Sequence, residues 1–372
     1  MEKQKETLST NELVAIPKLL LEWYDENKRI LPWRDFPTPY RVWVSEIMLQ
    51  QTRVEAVKPY FERFMQKLPD IPALAAADEE TLLKLWEGLG YYNRVRNLQR
   101  AAIQIMDCYG GAMPDSYEAL LGLSGIGTYT AGAISSIAFG RPYPAVDGNV
   151  LRVLARVRMD ERLITDAKVK SAVEAELMAV MPTERPGDFN QAMMEIGACV
   201  CVPNGMPLCD KCPLNGLCKA HKAGVETQYP KKQGKKARVV EEKTVLVIRD
   251  EGRVAVRKRP SKGLLAGMYE LPWMEGFCTP ESVVMYLARY GIRVIQILPL
   301  PEGKHIFTHK EWHMKGFWVR VDELVEDSLG ENKEDWLYID PVETQDRYPI
   351  PSAFGVYTKM LNMKLGKARY EE

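Results

Sequence analysis

The stretch Leu123-Ser124-Gly125-Ile126-Gly127-Thr128-Tyr129-Thr130-Ala131-Gly132 decides how the first half of the chain is read. Behind it lies an amphipathic run, Ser116 to Leu121, and ahead of it a run of small residues, Thr130 to Phe139, so the segment reads as helix, tight hairpin, helix. Gly125 and Gly127 permit φ > 0 and let a ligand approach the backbone with no Cβ in the way. The first amides of the following helix add the positive end of its dipole. Bare backbone beside a helix start suits one DNA phosphate. The same glycine pair also makes a plain turn between two helices, so the hairpin needs company before it points to a function.

The 372 residues are enough for about two domains, and 46% hydrophobic content supplies their cores. Formal net charge is zero, so nucleic-acid binding has to rest on local basic patches and not on a global field. Met1 to Asn11 is polar with no apolar signal core, and no run of about 18 apolar residues occurs. The expected setting is cytoplasmic, with no membrane contact. Seven cysteines, most of them between Cys199 and Cys218, suit metal ligation in a reducing compartment better than a disulfide framework.

From Asn11 to about His221 apolar residues recur at three and four and prolines punctuate the pattern, which predicts an all-α domain over 1–228. Residues 229–242 form a basic linker: Gln228 to Val240 carries five basic residues and no acid. After it come short β-branched runs at Thr244–Ile248, Arg253–Val256 and Gly316–Val321, with helical stretches at Glu281–Tyr290 and Ser352–Asn362. These predict an α+β domain over 243–366.

Three features carry chemistry. Glu46 has Val42, Trp43, Leu49 and Gln50 as its helical neighbours, so its carboxyl projects from a largely apolar face and should have a raised pKa, as a general acid requires. Pairing with Arg41 or Arg53 is the plainer alternative. Asp147, in Val146-Asp147-Gly148-Asn149, sits just ahead of an amphipathic helix, where it caps the helix or, held by helix-start amides, remains a charged carboxylate beside the acid. The third is Cys201-x7-Cys209-x2-Cys212-x5-Cys218, four thiols close enough for one ion or cluster, with zinc left open by spacing alone. Cys108, Cys199 and Cys278 remain as expected buried thiols.

The Glu46 helix ending in Gln50-Gln51-Thr52, the segment Trp86-Glu-Gly-Leu-Gly-Tyr-Tyr-Asn-Arg94, the hairpin, the Asp147 segment and the four cysteines together resemble the helix-hairpin-helix DNA glycosylases, and within them the adenine DNA glycosylase (MutY) family. The resemblance covers nearly the whole chain. It implies a multi-domain protein: an all-α helix-hairpin-helix glycosylase, built as a six-helix barrel plus an iron-sulfur module with its cluster loop at 199–221, followed by an α+β Nudix-like domain. One departure is the first cysteine gap, seven residues where the family usually has six.

What the resemblance implies for single residues is as follows. Glu46 matches the acid that protonates adenine at N7, and Asp147 the carboxylate that stabilises the oxocarbenium ion. Tyr129 stands where bifunctional relatives carry a lysine, and a phenol cannot form a Schiff base, so monofunctional hydrolysis is expected. Asn149 matches a residue that helps hold water and sugar. Gln51, Leu89 and Tyr91 match residues that enter the base stack, with Gly88 and Gly90 favouring a loop tip for Leu89. Cys201, Cys209, Cys212 and Cys218 match the ligands of a [4Fe-4S] cluster. Phe307, Thr308 and His309 resemble the loop that inspects 8-oxoguanine, usually Phe-Ser-His. The implied partner is double-stranded DNA with adenine opposite 8-oxoguanine or guanine, bound by a monomer. The helix at Glu281 has no further acid to hold Mg2+, so Nudix pyrophosphohydrolase chemistry is not expected. An endonuclease III-like lyase on oxidised pyrimidines is the alternative reading, opposed by Tyr129 and by the C-terminal domain.

Overall fold

The computed structural model describes residues 10–234, 237–324, 336–361 and 363; the linker residues Lys235 and Lys236, Asn362 at the end of the last expected helix, and the expected domain end at 364–366 lie outside them. The first helices are α1 (Thr10–Asn27), α2 (Pro39–Leu49), α3 (Val54–Lys67), α4 (Ile71–Ala76), α5 (Glu79–Leu85) and α6 (Asn93–Tyr109). They are followed by α7 (Tyr117–Leu121), α8 (Thr128–Ala133), α9 (Gly148–Arg158), α10 (Ala167–Met178), α11 (Pro186–Cys199) and α12 (Lys219–Lys222). The described residues divide into two compact units, one within Met1–Ala76 and Asn97–Lys235, the other within Ala77–Arg96 and Lys236–Glu372. That division departs from a linear boundary near residue 228, because the segment 77–96 packs with the C-terminal residues.

The helical unit is organised by local caps and by one shared core. Thr38 accepts from the Arg41 amide with Pro39 in the first turn, which starts α2; Ser116 accepts from the Ala119 amide at α7; Asp147 accepts from the Asn149 and Val150 amides at α9. The core brings Ile16, Leu20, Val150, Leu154, Phe189 and Ile196 together from α1, α9 and α11. Between α7 and α8 the expected hairpin is present. Only one of its glycines is left-handed, however: Gly125 has φ +75, whereas Gly127 is the extended N-cap of α8 at φ −100, ψ −177. A Cβ at Gly125 would lie 2.7 Å from Asn97 Cβ, so that glycine is needed for packing as well as for the turn. The small-residue run ahead does not continue as one α-helix; Ile134–Ala138 widens into a π-turn.

Among its described residues the other unit holds a seven-stranded sheet. Its strands are β1 (Val239–Arg249), β2 (Val254–Lys258), β3 (Tyr269–Glu270), β4 (Trp273–Glu275), β5 (Val294–Ile306), β6 (Lys310–Val321) and β7 (Trp336–Ile339), with α13 (Pro280–Ala288) and α14 (Gly355–Thr358). Their order is β3-β2-β1-β6-β5, with β4 also paired to β1 and β7 to β2; β1 and β6 are parallel and the other pairs antiparallel. Residues 239–242, assigned to the linker from sequence, are the first residues of β1, held to β6 from the pair Val239 and Lys310 onward. β1 is buried on both faces: Val245 and Val247 meet Trp312, Met314 and Phe354, while Leu246 and Ile248 meet Leu287, Phe317 and Val319. An apolar run without alternation is what a central strand requires.

Candidate active site

Glu46 lies on the buried side of α2, 5% exposed. Its neighbours Val42, Trp43 and Ile47 are buried with it, so the carboxyl has little water to stabilise its charge. Burial pushes its pKa up from 4.5 to about 7, the charge of Asp147 adds to the rise, and a hydrogen bond from Tyr129 together with the Arg34 charge pulls the other way. The Tyr129 hydroxyl donates to Glu46 Oε2 and lies 3.1 Å from Met194 Sδ. Burial first, then the two carboxylates, hold that phenol far above its ordinary range, so it stays neutral. Arg41 does not pair with Glu46; it donates to the Pro32 carbonyl.

Asp147 is both a cap and a member of the site. Its Oδ1 accepts from the Asn149 and Val150 amides at 2.9 and 2.8 Å, and its Oδ2 accepts from Asn149 Nδ2 at 2.7 Å. These donors favour the anion, yet burial is the larger effect and the carboxyl lies above its ordinary value. The amides alone predict a charged carboxylate at its ordinary value or below; desolvation outweighs them. Asn149 is turned toward Asp147 by Arg152, whose Nη2 donates to Asn149 Oδ1 at 2.9 Å and to the Gly197 carbonyl at 2.6 Å. Arg152 Nε reaches the Cys201 carbonyl at 2.8 Å, which ties this end of the site to the cysteine loop.

The four thiols line one small pocket, whose other walls include Val153, Val157 and Val200. Arg156 Nη1 donates to Cys201 Sγ at 3.2 Å. Burial first, then repulsion from the other three thiols, push Cys212 up to about 12. Burial also raises Cys209 and Cys218, and four clustered thiols with one guanidinium against them fit a group whose positive charge offsets thiolates. At the rim, Cys209, His221 and Glu226 offer donor atoms within 4.8 Å of one another, a second possible ligand set. Of the remaining cysteines expected to be buried, Cys108 is exposed and Cys199 and Cys278 are half-buried.

The residues expected to enter the base stack are not alike. Gln51 is exposed just past α2 at φ +58, a left-handed conformation that costs energy for a residue with a side chain. Tyr91, also left-handed at φ +49, is 50% exposed. Leu89 departs from the expected loop tip and is buried at 6% exposure. The turn folds back on itself: Leu89 N–H donates to the Trp86 carbonyl, Trp86 Nε1 to the Gly90 carbonyl, and Arg94 to the carbonyls of Leu89 and Gly90. Phe307, Thr308 and His309 form the turn between β5 and β6, closed by the Phe307 amide on the Lys310 carbonyl at 2.9 Å. Phe307 packs edge-on against Trp312 with centroids 4.8 Å apart, which leaves Thr308 and His309 exposed. Thr308 Oγ1 meets the Tyr91 hydroxyl at 3.0 Å.

Residues 44–180 match the HhH-GPD superfamily of base excision DNA repair proteins and residues 244–359 match the NUDIX domain. The adenine DNA glycosylase of Mus musculus is 36% identical over 370 residues, covering 84% of this chain and 72% of the mouse protein. That of Buchnera aphidicola subsp. Acyrthosiphon pisum (strain APS) is 34% identical, covering 86% and 90%. The chain belongs to the adenine DNA glycosylase family. Among solved structures, a thermostable thymine-DNA glycosylase superposes with a TM-score of 0.53 at 28% identity, covering 57% of this chain and 98% of the other.

Within this family member, several residues at the site were not singled out from sequence. Arg152 and Arg156 stand one turn apart on α9, a spacing visible in the sequence, but their partners lie near 197–202 and 226–229 and only the fold supplies them. Glu195, buried on α11, holds Arg29 bidentately and Arg34 at 2.9 Å, and so fixes in place the guanidinium whose charge acts on Glu46. Met194 touches the phenol through its sulfur. None of these belongs to a short motif.

Proposed function

We propose that this chain hydrolyses the N-glycosidic bond of adenine opposite 8-oxoguanine, or guanine, in duplex DNA, and does so without lyase chemistry. The observation that carries the reading is Glu46: a buried carboxyl at about 7, in contact with a neutral phenol and electrostatically coupled to Asp147. Such an acid holds a proton near neutral pH and has an apolar wall against which a flipped base can rest. As the base takes the proton and leaves, Asp147 offsets the charge that develops on the sugar, and Asn149, held by Arg152, keeps that carboxylate in place. Tyr129 supplies no amine for a Schiff base. Adenine is the base removed by the family, as the names of the mouse and Buchnera relatives state.

Cys201, Cys209, Cys212 and Cys218 would hold a [4Fe-4S] cluster, which when bound supplies a redox-capable crosslink of the 199–221 loop. The chain's own contribution there is Arg156, which donates to Cys201, and Arg152, which holds the Cys201 carbonyl. Gly125 and Gly127 offer bare backbone to a phosphate, Gln51 and Tyr91 flank the opened stack, and Phe307, Thr308 and His309 face the base opposite adenine. We read the protein as a monomer on cytoplasmic DNA; no helix among the described residues is long and apolar enough to cross a membrane.

The alternative, a lyase acting on oxidised pyrimidines, draws support from endonuclease III in its DNA complex, which superposes with a TM-score of 0.51 at 26% identity over 59% of this chain. One gel assay decides between the two. Duplexes carrying adenine opposite 8-oxoguanine or guanine should yield strand breaks only after alkali. Breaks without alkali, or activity confined to oxidised pyrimidines, would favour the lyase.

A further inference from the structure

The turn that carries Leu89 and Tyr91 is fastened into the C-terminal unit by a buried ion pair. Lys84, on α5, and Glu87, just past its end, are 7% and 2% exposed and meet at 2.8 Å. Each also reaches a distant segment: Lys84 Nζ donates to the Thr344 carbonyl, and Glu87 Oε1 accepts from the Ile350 amide at 2.8 Å, partners 260 and 263 residues away. On the other side of the turn Arg96 donates to the Ala266 carbonyl and pairs with Glu79 at 2.7 Å. Between these anchors Tyr91 projects, its hydroxyl on Thr308.

A buried ion pair is a poor way to gain stability, since replacing it with apolar residues of similar volume is often neutral or stabilising. Directional bonds from both members to two backbone sites instead fix where the turn sits. We propose that Lys84 and Glu87 are positioning residues for reading the base opposite adenine, holding the 86–92 turn so that the Tyr91 and Thr308 hydroxyls meet at one place on the DNA. This rests on the reading of 307–309 as the loop that faces that base. Neither residue touches DNA in this scheme. Their effect therefore falls on the preference between 8-oxoguanine and guanine, and not on adenine release itself.

The test uses the full chain in single-turnover excision at subsaturating enzyme, on duplexes with adenine opposite 8-oxoguanine and opposite guanine. The pair Lys84→Met with Glu87→Leu fills the same space and removes both backbone bonds. The ratio of the two rates should fall roughly tenfold, the size of an ordinary coupling between neighbouring groups, with the rate on the guanine duplex within about twofold of the parent and a single cooperative unfolding transition retained. In a Thr308→Ala background the same pair should cause no further fall. If Thr308→Ala and His309→Ala lower the ratio while the Lys84–Glu87 pair leaves it unchanged, the positioning role is overturned and the loop reading stands. If neither loop variant changes the ratio, the loop reading fails and the positioning role fails with it. Equal loss on both duplexes, or loss that adds fully to Thr308→Ala, marks a merely structural pair and overturns the proposal. Should the double variant not fold, Glu87→Gln, which keeps an acceptor for Ile350 but turns an amide toward the Lys84 ammonium, is judged by the same criteria.

Discussion

At the scale of single residues, Glu46 is asked to be both buried and ionisable. Its pKa rises from 4.5 to about 7 chiefly through burial, so the folded protein binds this proton more tightly than the unfolded chain does. The associated stability is fully present below the ordinary value and is lost as pH rises through about 7, a difference of about 3 kcal/mol. Glu46→Gln keeps an acceptor for the Tyr129 hydroxyl and cannot ionise. It should lower adenine release ~10² to 10⁴-fold yet melt at a higher temperature than the parent, with a gap that widens between about pH 4.5 and pH 7 and then stays level; a gap constant over that range would contradict the raised pKa. Activity of the parent should decline as pH rises through about 7. Tyr129→Phe removes a donor that favours the carboxylate, so the alkaline limb of the pH–rate profile should move upward, and a downward move would rule out the hydrogen bond as the coupling.

At the scale of elements, α9 carries the proposed catalytic carboxylate at its start and the thiol loop's anchors along its length: Asp147 at the cap, Asn149, Arg152 and Arg156 in succession. α11 approaches it so closely that a Cβ at Gly197 would lie 2.6 Å from Asn149 Cβ. Gly197→Ala must push Asn149 away from Asp147 and should cost about 1–3 kcal/mol of stability and at least tenfold in excision, measured by melting and single-turnover kinetics. Gly127 is the opposite case, because a Cβ there meets nothing within 4 Å and its φ is ordinary. Gly127→Ala should leave melting unchanged and weaken DNA binding, with affinity still falling as salt rises; unchanged binding would remove the hairpin from the DNA interface. The thiol pocket predicts iron and inorganic sulfide in the purified protein, both depleted in Cys212→Ser. Stoichiometric zinc without sulfide would assign the site to zinc instead.

At the scale of the molecule, the segment 77–96 belongs with residues far ahead of it in the chain. Cutting the protein after Gln228 therefore removes more than a reader. Lys84 and Glu87 would keep each other but lose Thr344 and Ile350, and Arg96 would keep Glu79 but lose Ala266, so each charge forfeits a backbone hydrogen bond. Glu46, Tyr129, Asp147 and Asn149 all lie in the helical unit and keep their mutual contacts. The truncated protein should still release adenine, show little preference between 8-oxoguanine and guanine, and melt well below the full chain. Melting within about 2 °C of the parent would mean that the packing of 77–96 contributes little.

The sequence by itself determined what depends on near neighbours. Helical periodicity placed Glu46 on an apolar face, the glycines placed the hairpin, the cysteine spacing placed four thiols together, and the Asp-Gly-Asn step placed a cap. β5 escaped that reading because Pro299, Pro301 and Gly303 interrupt it, and it exists through its ladder to β6, which breaks register between Leu300 and Gly303. Only the tertiary structure decided that burial outweighs the helix-start amides at Asp147, that Leu89 is covered, that Arg152 links Asn149 to the Cys201 loop, and that 77–96 joins the C-terminal unit. The physical reason is common to all four. Desolvation and long-range hydrogen bonds depend on which distant residues are brought alongside, and no property of neighbouring residues in the chain encodes that.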